Sequence, residues 1–420
     1  MKVFKFGGAS VNSVERIQQL PGILKLYEGE KKMVVISAMG KTTNALEKVV
    51  EAFFNNQRDL ALQLFEHIKT QHLNTAKYLL VTTYNQAYAQ LEQLFTEIEW
   101  ALHDKPVREF DYYYDQIVCS GELFSTAIIS AYLNEKKIIN RWVDVRDIFR
   151  TNDNFREAII DWSVTSNNVQ QYIKPVFKDR DIVVTQGFIG ATDENESTTL
   201  GREGSDYTAA VFANMLNAES VIIWKDVEGV MNADPKIFPS AKLIGELNYD
   251  EVIEMAYYGA QVIHPKTIKP LQNKGIPLLV KCFLDPSLSG TVIHDKNIKH
   301  LPSIIVLKNN QVLLHLHSKD FSFVGEYEMS RLYHLFAENK VTPNLIQTGA
   351  VSLMVSTDDK SEKTDQLAGE ATTLFDVQVE KGLTLLTIRH YTDALLSELT
   401  EGKQIVLKQQ SPVTVQVLMR

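Results

Sequence analysis

Three clusters of glycine, lysine and carboxylate residues carry the chemistry legible in this chain. The first is Lys5-Phe6-Gly7-Gly8-Ala9-Ser10, which closes a β-rich run and precedes a helical pattern. Paired glycines let backbone N–H groups approach a phosphate closely, and a helix start adds a favourable dipole. Lys5 projects from the end of the run toward the same place. A tight strand-to-helix turn with no ligand explains this cluster about equally well. The second cluster is Gly187-Phe188-Ile189-Gly190, followed by Gly201-Arg202-Glu203-Gly204-Ser205-Asp206. Ser205 or Asp206 is placed to cap the helix that opens there, but capping does not explain the arginine in this glycine-rich approach. The third is Trp224-Lys225-Asp226-Val227-Glu228-Gly229-Val230-Met231-Asn232-Ala233-Asp234-Pro235. A polar surface loop is the plain alternative, and its position after another β-rich run weighs against that.

The elements that must position these clusters alternate. Residues 2–6, 33–37, 181–185, 220–224 and 276–280 are short β-rich runs, and 14–27, 207–216 and 249–272 have helical patterns. This predicts an α/β fold: a mostly parallel sheet sandwiched by helices, with ligands bound beyond the carboxyl ends of the strands. Rival nucleotide folds fit poorly. No Gly-x-Gly-x-x-Gly follows a predicted strand, and Gly40-Lys41-Thr42 lacks the P-loop's first glycine, because Val35 stands there. Residues from about 45 to 110 are rich in helix formers and read as a helical insertion. A turn-rich stretch at 284–290 marks a boundary, giving a first domain over 1–290. Beyond it, strands at 303–307, 311–317, 351–356, 383–388, 404–408 and 413–418, with helices at 329–339 and 392–401, predict small α+β ferredoxin-like units over 301–420.

Composition sets broad limits. A chain of 420 residues, 45% hydrophobic and 23% charged, has the core of a globular protein and is too long for one domain. With a net charge of -9 and scattered basic residues, no nucleic-acid partner is expected. The two cysteines, Cys119 and Cys282, are far apart and show no metal-ligand spacing. They read as buried core thiols in a reducing compartment. The start of the chain has no apolar signal core, and no apolar run approaches the roughly 20 residues of a membrane span. The expectation is a cytoplasmic protein with no membrane contact.

Taken in order, several segments resemble the aspartate kinase branch of the amino-acid kinase family. They are residues 5–10, Val35-Ile36-Ser37-Ala38-Met39-Gly40-Lys41-Thr42-Thr43-Asn44, Ser120-Gly121-Glu122-Leu123 and Thr185-Gln186-Gly187-Phe188. Residues 201–206 and 225–235 follow, then Gly259-Ala260-Gln261-Val262-Ile263-His264-Pro265. The resemblance implies phosphorylation of the L-aspartate β-carboxylate by ATP with Mg²⁺, the first step toward lysine, threonine and methionine. It implies that Lys5, Gly7 and Gly8 hold the moving phosphoryl group, that Asp206 organises the phosphate-side lysines, and that Lys225 is catalytic. Glu122 matches the position that takes the substrate ammonium, and Arg202 the one that grips its α-carboxylate. Ser37, Thr43 and Ser205 are implied substrate contacts; Ser10, Asp226, Met231, Asp234, Lys236 and Gln261 are implied ATP contacts. No residue is assigned as a metal ligand, and His264 reads as structural. A carboxylate nucleophile is already ionised at neutral pH, so the site needs cations rather than a general base.

Rivals are another amino-acid or small-acid kinase of this fold and a non-catalytic amino-acid sensor. Glu122 with Arg202 argues against the first, and Lys5, Asp206 and Lys225 argue against the second. A fused homoserine dehydrogenase is not expected, because the chain stops at Arg420. The family's C-terminal region holds two ACT units, one inserted in the other. Here they are expected at about 311–380, and at 301–310 joined to 381–420, with a homodimer formed through them. In the effector segment Asn344, Gly349 and Ala350 replace the acidic and serine-glutamate positions of lysine-sensitive members, which argues against lysine feedback. Ala9 stands where the family often has threonine, and Gln261 where many members have a lysine; Lys225 or Lys266 is the candidate for supplying the missing charge. If Lys225 does so, Lys225→Ala lowers turnover by several orders of magnitude, and a loss below about tenfold in steady-state assays refutes the compensation.

Overall fold

Apolar residues fill the central strands of the first sheet without alternation, as expected where both faces are covered. In the computed structural model, which describes residues 1–260 and 263–420, β1 (Lys2–Phe6) pairs in parallel with β2 (Lys32–Ile36) on one side and β7 (Ser220–Lys225) on the other. The sheet continues outward from β2 to β4 (Ile182–Gln186) and β3 (Arg141–Val143). Outward from β7 it runs to β9 (Leu278–Cys282), β10 (Thr291–His294) and β8 (Glu246–Asn248). Among the described residues only the β9–β10 pairing is antiparallel in this sheet. A separate hairpin joins β5 (Ile189–Ala191) to β6 (Ser197–Thr199). Phe6 and Trp224, neighbours across the β1–β7 ladder, stack with ring centroids 6.1 Å apart and planes at 7°. The α/β reading stands.

Two predicted helices are broken. Residues 14–27 form α1 (Val14–Ile17) and α2 (Leu20–Lys25). Pro21 lacks an amide donor and therefore starts a new helix rather than continuing the old one. Residues 249–272 form α10 (Tyr249–Tyr257) and α11 (Pro265–Gln272), with Gly259 at φ 108° between them and His264 capping the second. The helix-rich stretch comprises α3 (Thr42–Phe54), α4 (Arg58–Leu79) and α5 (Tyr84–His103). In α4 the buried residues Ala61, Phe65, Ile68, His72, Ala76 and Leu79 recur every three or four positions, the stripe an amphipathic helix buries. Next come α6 (Phe110–Val118) and α7 (Ser120–Glu135). Together, 110–135 are long and on average apolar enough to cross a membrane, but 89% of the most apolar window is buried inside the protein. That apolarity belongs to a core helix: α7 packs on β2 and β4. After α8 (Trp162–Asn168), α9 (Gly204–Leu216) packs on β1, β2 and β7.

The chain forms two units. One holds residues 1–230, 243–253 and 263–298; the other holds 231–242, 254–262 and 299–420. The boundary expected at 290 is too early, because β10 returns to the first sheet between β9 and β8. In the second unit β11 (Ile304–Ser318), β12 (Pro343–Thr348), β13 (Ser352–Asp358), β14 (Phe375–Arg389), β15 (Ile405–Gln410) and β16 (Thr414–Met419) make one antiparallel sheet. Its order is β12-β13-β11-β14-β16-β15. The runs 303–307 and 311–317, read as two strands, are one strand with register shifts near Gln311. Of its helices, α12 (Glu326–Glu338) and α14 (Asp393–Thr400) match expected ones, while α13 (Glu362–Ala371) was not expected. The half of the sheet nearer β12 buries Val312, Leu314, Leu332, Phe336, Val355 and Leu367 in one cluster. The other half buries Leu386, Ile388, Leu396, Val415 and Val417 in another.

One contact fixes how the first sheet meets α9. A Cβ at Gly187, just past β4, would lie 2.5 Å from Ser205 Cβ and 2.7 Å from its Cα. Neither backbone can yield, so Gly187→Ala is expected to lower unfolding free energy by about 2 kcal/mol. Denaturant titration checks this against Gly22→Ala, whose Cβ meets nothing within 4 Å.

Candidate active site

Parallel pairing decides which side chains share a face. Lys5 lies opposite Ile223 in the β1–β7 ladder, so Lys225, two residues beyond Ile223, projects from the same face as Lys5. The first turn of α9 meets that face. Lys5 Nζ forms an ion pair with Asp206, lying 2.7 Å from Oδ1, with the Lys5 side chain 12% exposed and that of Asp206 4% exposed. Burial pushes the Asp206 carboxyl upward, but the ammonium groups of Lys5 and Lys225 outweigh it and hold the group below its ordinary value. An ionised, buried aspartate thus pairs with Lys5 and feels the charge of Lys225 at one end of the sheet. Neither Ser205 nor Asp206 caps α9, as one reading of the sequence had it. The helix starts at Gly204 with no side-chain cap, and both residues lie inside its first turn.

Glu122 occupies the first turn of α7. A Cβ at Gly121 would stand 3.1 Å from Leu46 and 3.2 Å from Ala38 and Thr42, so the starts of α7 and α3 are pressed against the loop after β2. Glu122 Oε1 accepts from the Ala38 N–H at 3.2 Å, while Oε2 is buried and has no partner among the described residues. Burial raises the Glu122 carboxyl to about 8, against the opposing pull of the Ala38 N–H and the Lys5 charge. A buried carboxyl oxygen with no hydrogen-bond partner is left unsatisfied. Of the implied substrate contacts, Ser37 adjoins Ala38 and Thr43 lies on α3. Ser37 follows β2, donates its N–H to Phe6 O and accepts from Ser125 Oγ at 2.8 Å; Thr43 is half-buried in the first turn of α3. Arg202 is exposed at the approach to α9.

In the turn after β1, a Cβ on Gly8 would lie 2.8 Å from Ala38 O and 3.1 Å from Gly40 O, so only glycine fits. A Cβ on Gly7 would lie 3.4 Å from Lys5 Nζ, which sets the ammonium directly over the turn. Ser10 is otherwise engaged. It is buried, its hydroxyl donates to Trp224 O at 3.3 Å, and its N–H donates to Gly7 O, so it ties the turn to β7. Asp226 is exposed just past β7. Met231, Asp234 and Lys236 belong to the second unit, where Asp234 Oδ1 accepts from Lys236 N at 2.9 Å in a local turn. Gln261 lies outside the described residues. Lys266, considered as a source of compensating charge, donates to Leu200 O at 2.9 Å and sits 4.7 Å over the Tyr207 ring.

Sequence reasoning missed the residues that brace this site. Gln186, at the end of β4, accepts from Val145 N at 2.8 Å and donates to Thr126 Oγ1 at 2.7 Å; Thr126 in turn donates to Glu122 O at 2.8 Å. Asp115 is fully buried in α6 and accepts from Arg156 N, Thr199 N and Thr199 Oγ1 at 2.6–2.9 Å. It thereby fixes the strand that leads to Arg202. A lone aspartate within Tyr112-Tyr113-Tyr114-Asp115-Gln116-Ile117-Val118 was the available signal.

The amino acid kinase family matches residues 1–282 of the chain. The chain is 32% identical to the lysine-sensitive aspartokinase 3 of Escherichia coli, over 92% of this chain and 86% of that protein. It is 34% identical to the chloroplastic aspartokinase 2 of Arabidopsis thaliana, over 85% of this chain and 66% of that protein. In structure it is similar to E. coli aspartokinase III crystallised with aspartate and ADP in its R-state. That match has a TM-score of 0.82 at 28% identity and covers 100% of this chain and 96% of the other. By the matched domain, and by two relatives whose similarity runs well past it, the chain belongs to the amino acid kinase family, among its aspartokinases.

Proposed function

We propose that this chain is an aspartate kinase that transfers the γ-phosphoryl group of ATP to the side-chain carboxylate of L-aspartate, in amino-acid biosynthesis. The observation that carries the reading is the buried, unpartnered Glu122 Oε2 within reach of the Lys5 charge that also holds Asp206. One pole of the site invites an ammonium and the other gathers cations for phosphates, and an amino acid with a second carboxylate spans both. In this reading Glu122 takes the α-ammonium, Arg202 grips the α-carboxylate, and Ser37, Thr43 and Ser205 line the substrate between them. The substrate's β-carboxylate oxygen forms a bond to the γ-phosphorus while the bond from phosphorus to the β–γ bridging oxygen breaks. Acyl phosphate and ADP result, with no proton transferred. Lys5 and Lys225 offset the repulsion of two approaching anions, which amounts to several kcal/mol at short range, and Asp206 keeps both lysines aligned. Gly7 and Gly8 let the backbone approach the phosphates.

Among the described residues no group of three or more His, Cys, Asp or Glu forms a metal cage. The donor set therefore suits Mg²⁺ that enters with the nucleotide phosphates and neutralises them. The same reading makes the C-terminal sheet a pair of interleaved ACT units, a homodimer interface, and the protein cytoplasmic. In that sheet Lys308 Nζ donates to Asn344 Oδ1 at 2.8 Å, and Asn344 Nδ2 donates to Gln311 Oε1 and Asp358 Oδ1, each at 2.8 Å. The chain's own ammonium thus engages Asn344, which weighs against capture of a lysine effector there.

Trapping the acyl phosphate as a hydroxamate tests the reaction: product is expected with aspartate, ATP and Mg²⁺, and not with glutamate or without substrate. The Glu122 assignment gives a pH test. Its carboxyl, raised by burial to about 8, lies above its unfolded value, so its contribution to stability is present at low pH and is lost as pH rises toward 8. An ammonium needs the ionised form, so KM for aspartate is expected to fall by up to about tenfold per unit between pH 6 and 8. Glu122→Gln should flatten that slope. A slope unchanged in the variant rejects the role.

A further inference from the structure

The residue just before α9 is strained. Glu203 holds φ 54° and ψ 27°, the left-handed region, which a glycine would adopt without penalty. A side chain there is strained and persists only where the surroundings hold it. Here the carboxylate holds it: Glu203 Oε2 accepts from the backbone N–H of His264 at 2.8 Å. His264 is the N-cap of α11, its Nδ1 accepting from Lys266 N at 3.1 Å. Lys266 Nζ crosses back to Leu200 O at 2.9 Å. The starts of α9 and α11 are therefore tied by two straps running in opposite directions, from Glu203 to the α11 cap and from Lys266 to the strand entering α9.

Glu203 also governs the first turn that carries Asp206. Its carbonyl accepts from Asp206 N at 3.0 Å and from Tyr207 N at 3.1 Å. On the other side, Gly204 has no room for movement, since a Cβ there would lie 2.8 Å from the Phe188 ring. A shift at 203 is thus passed to Asp206 and, through its 2.7 Å contact, to Lys5.

We propose that Glu203 is a positioning residue for the phosphoryl-transfer site, its carboxylate strapping the start of α9 to the backbone of α11 so that Asp206 and Arg202 are presented together. The proposal rests on the aspartate kinase reading, and hydroxamate formation by the unaltered chain tests that reading separately. Placement and stability make opposite demands at this position. Glu203→Gly releases the left-handed strain and removes the strap, so its melting temperature should equal or exceed that of the unaltered chain while kcat falls roughly 10- to 100-fold, the loss a misplacement of about 1 Å produces. Glu203→Gln keeps an acceptor for the His264 N–H and should retain kcat within about threefold. The measurements are kcat, KM for each substrate and thermal melting for both variants. A Glu203→Gly enzyme with kcat within about threefold of the unaltered chain overturns the proposal. So does a Glu203→Gln enzyme as slow as Glu203→Gly, which would assign the effect to charge rather than to the strap.

Discussion

A carboxylate sealed in the protein interior stays ionised only when cations face it, and the Lys5–Asp206 pair is that arrangement. Desolvating such a pair costs several kcal/mol per ion, on the order of what good geometry returns. The pair is therefore better understood as an orienting device than as a source of stability. It depends on parallel register, which puts Lys5 and Lys225 on one face, and on the helix start that brings Asp206 to them. Removing either lysine would leave a buried anion with one cation fewer. The ends of three strands and the starts of α3, α7 and α9 are all arranged around this small volume.

The glycine clusters were legible because each glycine answers to a short distance. Gly8 beside Ala38 O and Gly187 beside Ser205 leave no room for any other residue, and such positions mark themselves in sequence. Lys5, Asp206 and Glu122 could then be placed at strand ends and helix starts. Residues that brace the site from afar were not legible, since nothing local in Gln186 or Asp115 announces a partner about 40 to 80 residues away. Met231, Asp234 and Lys236 show the converse limit. They follow Lys225 closely in sequence, yet belong to the other compact unit, and a contiguous motif does not say with which body its residues fold.

Secondary structure failed where a local cue pointed the wrong way. Pro21 and Gly259 interrupt helical periodicity that a longer window averages over. The α13 segment buries little beyond Thr364, Leu367, Ala368 and Ala371, too thin an apolar stripe to stand out among its charges. Asn309-Asn310 looks like a turn between two strands. Asn310 does adopt φ 55°, but the irregularity is absorbed inside one continuous strand.

That continuous strand has consequences for how the C-terminal half could be altered by evolution or by design. β11 and β14 are each fifteen residues long and run the full width of the six-stranded sheet, contributing to the core at both ends. Neither half is a cassette, because excising one would sever strands that the other also uses. A slip of one residue in their pairing would turn apolar side chains outward in both cores at once. The two halves should therefore melt as one cooperative block, and recombination with a distant relative would have to exchange them together.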